Sequence, residues 1–527
     1  MKRDRLKRLN HQHTLVGIVL GWLLYLVNFS GTVSVLVDEI KLWEDPALRS
    51  AGFANAPLDP IFQQLAADAS ASEVDIYLPR DGSGVYQVYT THGFGDEQRH
   101  TKSYYNSASS EHVDARGGEG VAQWVEYLHR YLLIMPKDLG RALVGLTGIF
   151  MLLLILNGIV IHQRIDRDLY KVRWHRSFHV KWKDLHNATG LWTLPFGIVI
   201  AFSGVIVGTV ILFALTIAVP VTKGNINEFE EMVEYDAPVP PAYFGAANTL
   251  VNADEALRRV EETTGLIPRG LLMNRGNDGG IHLKVLAEST TELVYDAPIW
   301  VHPANGEVLN HYNAGVIGSF HDAFATRIFV AMEKLHYAHF GGLAVKLIYL
   351  ISGLAISLCV VTGMLIYFEK RLRGPSGSLS EKSYHWLSLI NAGMLAGLPL
   401  AYIVIFFVDR LLVSMPDGRY TIVGATFFGA WAAAVSYCCL VGQARKGARH
   451  LMCLTGVLCV ALPAFDLVTA PSGFGAAAIL AVNLFVFTCG LCVLAYLMAS
   501  PADVLHARQR GRKTREILGS SRPETSS

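Results

Sequence analysis

The strongest constraint on this chain is a pattern that occurs twice. His13-Thr-Leu-Val-Gly17 leads through an apolar helix to Ser30-Gly31, and His186-Asn-Ala-Thr-Gly190 leads through another to Ser203-Gly204. Seventeen positions separate the His from the Ser in each copy. Each copy follows a basic stretch and opens a long apolar segment. Two such helices, started from the same side, put two imidazoles at one depth, where they can face each other.

The apolar segments continue along the chain. Of 527 residues, 51% are apolar and 17% charged, a balance that predicts a multi-span membrane protein. A membrane helix needs about 20 apolar residues. Eight stretches qualify: 14–37, 140–161, 190–219, 343–368, 386–408, 420–442, 451–470 and 475–498. The first is too long for a signal-peptide core and reads as retained. Lys and Arg cluster before the first span and after the second, fourth, sixth and eighth, as in Arg164 to Lys183 and Arg508 to Arg515. The positive-inside rule then makes those loops and both termini cytoplasmic. The two long segments on the other side carry excess carboxylate and no nucleic-acid footprint. All seven cysteines fall in apolar runs, so no disulfide framework is indicated.

The repeat extends beyond the histidine helices. The first outer segment reads as a helix near Leu58 to Leu65 and strands at Val74 to Leu78, Val85 to Tyr89 and Tyr104 to Val113. The second has a helix at Ala253 to Thr264 and strands at Ile281 to Val285 and Leu293 to Val301. Period-two alternation with Gly and Asn turns predicts a small antiparallel sheet in each. Leu128-His129 and Leu335-His336 open the approaches to the second and fourth spans. Gly148 and Gly158 recur ten apart, like Gly353 and Gly363. The first 370 residues therefore read as two copies of helix, outer α+β domain, helix. The expected division is an N-terminus with the first span (1–37), an outer α+β domain (38–128), an approach and second span (129–161), and a basic cytoplasmic loop (162–185). The third span (186–219), a second outer domain (220–335), the fourth span (336–373), four additional spans (374–498) and a cytoplasmic tail (499–527) follow.

Two neutral imidazoles complete a six-coordinate haem with no open position, a centre that carries electrons rather than binding oxygen. Such a site is built in a bundle core from facing helices. His13 pairs with His186 near the cytoplasmic face, and His129 with His336 near the opposite face, as haem-iron axial ligands. His339, one turn after His336, is an alternative outer ligand, and His162, at the end of the second span, an alternative inner one. The path from His129 to the second span is interrupted by Met135-Pro-Lys-Asp138, which places His129 on an interfacial helix. No nicotinamide, flavin or Walker signature appears at a strand–helix junction.

His13-xxx-Gly17, Gly158-Ile-Val-Ile-His162, Asp184-Leu-His186-Asn, Leu194-Pro-Phe196, Leu335-His-Tyr-Ala-His-Phe-Gly-Gly342 and the turn Pro303-Ala-Asn-Gly-Glu-Val308 resemble the PepSY-associated transmembrane proteins, a group that includes iron-regulated ferric-siderophore reductases. The resemblance covers residues 8 to 373 and leaves out the last four spans. In the first outer domain Ser107-Ala-Ser-Ser110 stands where the usual turn has glycine. The resemblance implies two b-type haems, one near each face of the bacterial inner membrane, and electron transfer outward to periplasmic iron. The expected fold is a mainly α membrane protein. Eight transmembrane helices, a four-helix haem-binding bundle plus four extra helices, carry two periplasmic α+β PepSY-like domains. The expected activity is reduction of a ferric siderophore with electrons from a quinol or a cytoplasmic reductase. Two rivals remain from the sequence: a haem-free PepSY module that binds peptides or regulates a protease, and a siderophore transporter.

Overall fold

A computed structural model of the chain describes residues 3–45, 47–48, 56–79, 84–94, 98–115, 120–162, 172–173, 177–221, 223, 240–246, 249–288, 297–309, 324–338, 340–371, 380–412, 418–469 and 477–499. His339, most of the basic stretch between 163 and 176, and the tail from 500 onward lie outside the described residues.

The first repeat contains α1 (Arg3–Val19), α2 (Gly21–Ser34), α3 (Val37–Glu44) and α4 (Asp59–Ala66). Strands β1 (Ala71–Tyr77), β2 (Val85–His92), β3 (Arg99–Asn106) and β4 (His112–Val113) follow, then α5 (Val121–Tyr131) and α6 (Lys137–Ile161). The second contains α7 (Phe178–Trp192), α8 (Leu194–Val221) and α9 (Ala253–Thr264). It continues with β5 (Ile267–Arg275), β6 (Ile281–Glu288), β7 (Ala297–Val301), α10 (Phe324–Tyr337) and α11 (Gly342–Arg371). The added helices are α12 (Glu381–Leu411), α13 (Arg419–Val441), α14 (Ala444–Thr469) and α15 (Ala477–Ala499).

Among the described residues six helices, α6 and α11 to α15, are long and apolar enough to cross a membrane. The pairs α1–α2 and α7–α8 bring the number to eight if each is one span. The chain is thus a multi-pass membrane protein. The expected straight spans at 14–37 and 190–219 are broken. The first bends by 66° at Leu20 and the second by 68° at Thr193. These breaks are repeat-equivalent, since Leu20 precedes Thr193 by the same interval as His13 precedes His186. At the second break Pro195 removes a helical N–H donor just inside α8. His13 and His186 consequently sit on α1 and α7, ahead of the bends, and not on the membrane-crossing segments that follow.

The helices that cross between repeats meet through glycine. A Cβ on Gly208 of α8 would lie 2.6 Å from the Gly145 Cα of α6, so the two backbones touch. A Cβ on Gly353 of α11 would lie 2.4 Å from Thr32 Oγ1 of α2, and one on its counterpart Gly148 3.0 Å from Val205 of α8. Small residues at helix crossings supply the close packing that replaces the hydrophobic effect inside a bilayer.

Two separate sheets were expected; the described strands form one. Its strand order is β4-β3-β2-β1-β5-β6-β7, antiparallel throughout, with Val74 opposite Met273 and Ile76 opposite Leu271 at the β1–β5 seam. Joining the halves here pairs two rows of backbone N–H and C=O groups that would otherwise be exposed edges. Alternation puts Val74, Ile76, Val88, Leu271 and Met273 on one face, in a core shared with Ile61 and Phe62 of α4 and Ala256 and Val260 of α9. The two helices exchange caps. Asp254 accepts from the Leu58 and Asp59 amides at 2.9 and 3.1 Å, and Asp59 accepts from the Ala253 amide at 2.8 Å. The opposite face presents Glu73, Asp75 and Tyr77 of β1 beside Gln87, Tyr89 and Thr91 of β2.

On that face burial pushes the Asp75 carboxyl up to about 6; Glu73 adds to the shift and Lys284 opposes it. A carboxyl whose folded pKa is raised favours the fold when protonated, so its contribution is fully present below pH 4 and lost as pH rises through about 6. Asp75→Asn is therefore expected to stabilise the protein at pH 7 by on the order of 2 kcal/mol. The gain should shrink as pH falls from about 6 toward 4. Denaturant unfolding of the purified protein across that range checks it, and a gain independent of pH contradicts it.

Candidate cofactor-binding site

The structure brings the four expected histidines together as two pairs. His13 of α1 and His186 of α7 have ring centroids 6.2 Å apart with planes at 80°. His129 of α5 and His336 of α10 have centroids 6.1 Å apart with planes at 12°. The second pair lies on the sheet side of the bundle and the first toward the basic stretches. Each pair takes one ring from each repeat. As Met135-Pro-Lys-Asp138 suggested, His129 rides on a helix separate from the span: α5 ends at a left-handed Leu132 before α6 begins. His162 caps the C-terminus of α6 and belongs to neither pair.

Every ring rests against a bare glycine backbone. A Cβ on Gly31 would lie 2.6 Å from His129 Cε1, one on Gly204 3.0 Å from His336 Cε1, and one on Gly363 3.1 Å from His186 Cε1. Gly158 stands behind His13 in the same way, with more room at 3.7 Å. Gly31 matches Gly204 in the repeat, and Gly158 matches Gly363.

The Nδ1 atoms point away from the partner ring. His186 Nδ1 donates to the Cys359 carbonyl at 2.9 Å, and His129 Nδ1 to the Val27 carbonyl at 3.0 Å. His336 Nδ1 meets Ser203 Oγ at 3.1 Å, with the backbone of Ile200, the repeat counterpart of Val27, acting on the same ring. His13 Nδ1 is buried with no hydrogen bond of normal length; the Leu154 backbone, counterpart of Cys359, acts on it at longer range. Backbone acceptors at Nδ1 fix the tautomer and leave Nε2 with its lone pair, the arrangement that metal-ligating histidines use. Two residues before His186 on α7, Asp184 holds Arg173 through two bonds of 2.7 Å, which ties the basic stretch to the helix bearing His186.

These residues fit a haem. With a metal–nitrogen bond of about 2 Å on each side and roughly 1 Å from nitrogen to ring centre, two imidazoles on one metal have centres about 6 Å apart. Both pairs meet that spacing, and none of the four Nε2 atoms has a hydrogen-bond partner among the described residues. A bare ion is less well served, since no cluster of three or more His, Cys, Asp or Glu side chains able to hold one occurs among the described residues.

A cavity of about 840 Å³ joins the sheet-side pair to the sheet, within the size range of small-molecule sites. His129, His336, Gly31 and Gly204 line one part. Asp75, Tyr77, Tyr89, His100 and Tyr104 line the part formed by the sheet, and Arg130, Arg141, Lys41 and Arg269 bring positive charge. Sequence reasoning found the histidines through the repeat. It missed the sheet's contribution, because the pairing of β1 with β5 joins residues about 200 apart in the chain. The spacing of the glycines likewise does not say that a ring lies on them.

Comparison with known proteins agrees with this architecture. The family described as the PepSY-associated TM region matches residues 11–370. The protein is also similar to the uncharacterized protein PA4219 of Pseudomonas aeruginosa, with 26% identity over 346 residues, covering 63% of this chain and 84% of that relative. Both repeats, all four paired histidines and the whole sheet fall inside the matched span, and the chain belongs to the PepSY-associated TM family.

Proposed function

We propose that this protein is an inner-membrane electron carrier that reduces a ferric siderophore, with one b-type haem held by His13 and His186 and another by His129 and His336. The observation that carries the reading is the doubling. Two imidazole pairs, built by symmetry-equivalent residues, have the separation of axial ligands, and three of the four rings bond a backbone or hydroxyl group through Nδ1. When bound, a haem between two imidazoles supplies a one-electron ferric/ferrous couple without an open coordination position. The protein's part is to fix the rings, exclude water from them and dock the acceptor.

In this reading the sheet faces the periplasm and the basic stretches face the cytoplasm, as the charge distribution predicts. Electrons enter from a quinol or a cytoplasmic reductase near His13 and His186. They leave near His129 and His336, where the cavity gives a chelate access from the sheet. A carrier near each face divides a crossing of about 30 Å. One electron passed to ferric iron weakens its chelation by hard oxygen ligands and frees the metal as the ferrous ion. The aromatic rings and mixed charges in the cavity can hold a chelate by stacking and local ion pairing. The histidine pairs lie toward opposite ends of the bundle rather than together at its middle, which favours this reading over a transporter with one central site. The built ring pairs favour it over a haem-free peptide-binding module.

Purified protein is expected to contain two low-spin haems by pyridine haemochrome assay. His13→Ala or His186→Ala should remove one and His129→Ala or His336→Ala the other, with His339→Ala and His162→Ala retaining both. Protein of full occupancy after loss of a paired histidine contradicts the assignment. The ring planes predict two distinguishable paramagnetic spectra. Crossed imidazoles at 80° make the two metal π-interactions nearly equivalent and give an axial, strongly anisotropic signal, whereas rings at 12° give a rhombic one. Two identical signals contradict the geometry. Gly31→Ala, which drives a methyl into His129, should impair the rhombic centre, while Gly158→Ala should leave the axial centre intact.

Direction is tested in sealed vesicles. A membrane-impermeant ferric siderophore on the sheet side should reoxidise haem reduced from the other side, and His336→Ala should abolish this while the loop-side haem still reduces. Reoxidation only from the basic-loop side contradicts both direction and role.

A further inference from the structure

The four helices outside the family match carry a set of buried charges. Asp409 and Arg410 end α12, Arg419 starts α13 and Asp466 lies near the end of α14; all are 5% exposed or less. Arg419 donates to both Asp409 oxygens at 2.7 and 2.5 Å, and Arg410 donates to Asp466 at 2.9 Å. Charges at such a position are costly, and each here is matched.

The cluster continues into the first repeat. Trp43 of α3 donates to Asp466 at 2.6 Å, its carbonyl accepts from Arg410 at 2.9 Å, and the Arg410 guanidinium lies 3.9 Å from its ring centroid. Arg419 also donates to the Glu44 carbonyl at 3.3 Å. The Glu44 carboxylate then accepts from the Ala122 amide at 3.0 Å, and the Val121 backbone acts on Asp409. Both residues lie in the first turn of α5, whose donors have no partner within the helix. Two carboxylates there also complement the helix dipole. Trp124, one turn on, is seated by Tyr420, Phe427 and Phe428 of α13, with Gly424 making room for it.

Helix α5 is the element that carries His129. We infer that Asp409, Arg419 and Glu44 are positioning residues for His129, and that the added four-helix unit sets the geometry of the sheet-side histidine pair. The assignment of a cofactor to that pair rests on the function proposed above. The anchoring of α5 does not. Both helices of the sheet-side pair pack on the central bundle, α10 on α8 and α5 on α2, and α5 meets α12 and α13 as well.

Gly120, which precedes α5, supplies the test. A Cβ there would lie 2.4 Å from Asp409 Oδ1, 2.8 Å from Glu44 Oε2 and 2.9 Å from Arg419 Cζ. Gly120→Ala therefore wedges the cluster off the helix without deleting a charge. Full-length protein loaded with haem is compared as wild type, Gly120→Ala and Asp409→Asn by paramagnetic resonance and haem retention. The expected result is retention about 10-fold weaker at the sheet-side pair, the scale of lost outer-shell support, with an altered rhombic signal and an unchanged axial signal. Hydrogen exchange across 121–131 in haem-free protein should be faster in Gly120→Ala. Should Asp409→Asn fail to fold, Gly120→Ala decides. Unchanged retention and exchange in Gly120→Ala, or equal loss at both pairs, overturns the inference. Wild-type protein that binds no haem sinks the proposed function instead, and the exchange comparison still decides whether the cluster holds α5.

Discussion

The contact on which the bundle depends is an imidazole ring packed against a helix that has no side chain at that point. It occurs at Gly31, Gly158, Gly204 and Gly363, each against one histidine. A polar ring in an apolar bundle needs both a hydrogen-bond partner and space. The helix backbone one turn before each glycine lies within reach of the ring and the glycine supplies the space. Val27 before Gly31 and Cys359 before Gly363 show this directly. The bends at Leu20 and Thr193 follow the same demand, since they turn α1 and α7 so that His13 and His186 meet across the repeat axis.

Above the bundle, the seam between β1 and β5 does a second job of closure. It removes two sheet edges and fixes both halves over one cavity rather than leaving two independent modules. The faces then divide by chemistry. Val74, Ile76, Leu271 and Met273 are covered by α4 and α9, and the intervening residues Glu73, Asp75 and Tyr77 face the space above His129 and His336. A polar, aromatic surface is thereby built next to the sheet-side pair from strands that have no contact with the histidines.

The added helices stand outside the repeat symmetry but share an apolar core with the first repeat, in which Trp43 meets Phe406 and Trp124 meets Phe427. Through that apolar contact runs a charged link, from Arg410, Arg419, Asp409 and Asp466 to Trp43 and Glu44. Buried ion pairs are poor sources of net stability and good sources of register, because any other alignment leaves a charge unpaired. That property suits a contact that has to place the start of α5, eight residues before His129.

Much of this was legible in the chain itself. Hydropathy marks the spans because a helix in lipid must be apolar over its whole length, and the doubled His-to-Ser interval marks the histidine helices because equivalent positions in a repeat meet equivalent neighbours. That His13 and His186 face each other was therefore legible before any coordinates. What only the tertiary structure decided are features set by long-range closeness. The bends at Leu20 and Thr193 depend on partners across the bundle, and only the second has a proline to announce it. The merger of two predicted sheets depends on backbone pairing that leaves no side-chain signature. Nothing along the chain links Asp466 to its partners Arg410 and Trp43, which lie 56 and 423 residues away, and a charge shows its purpose only when the opposite charge is beside it.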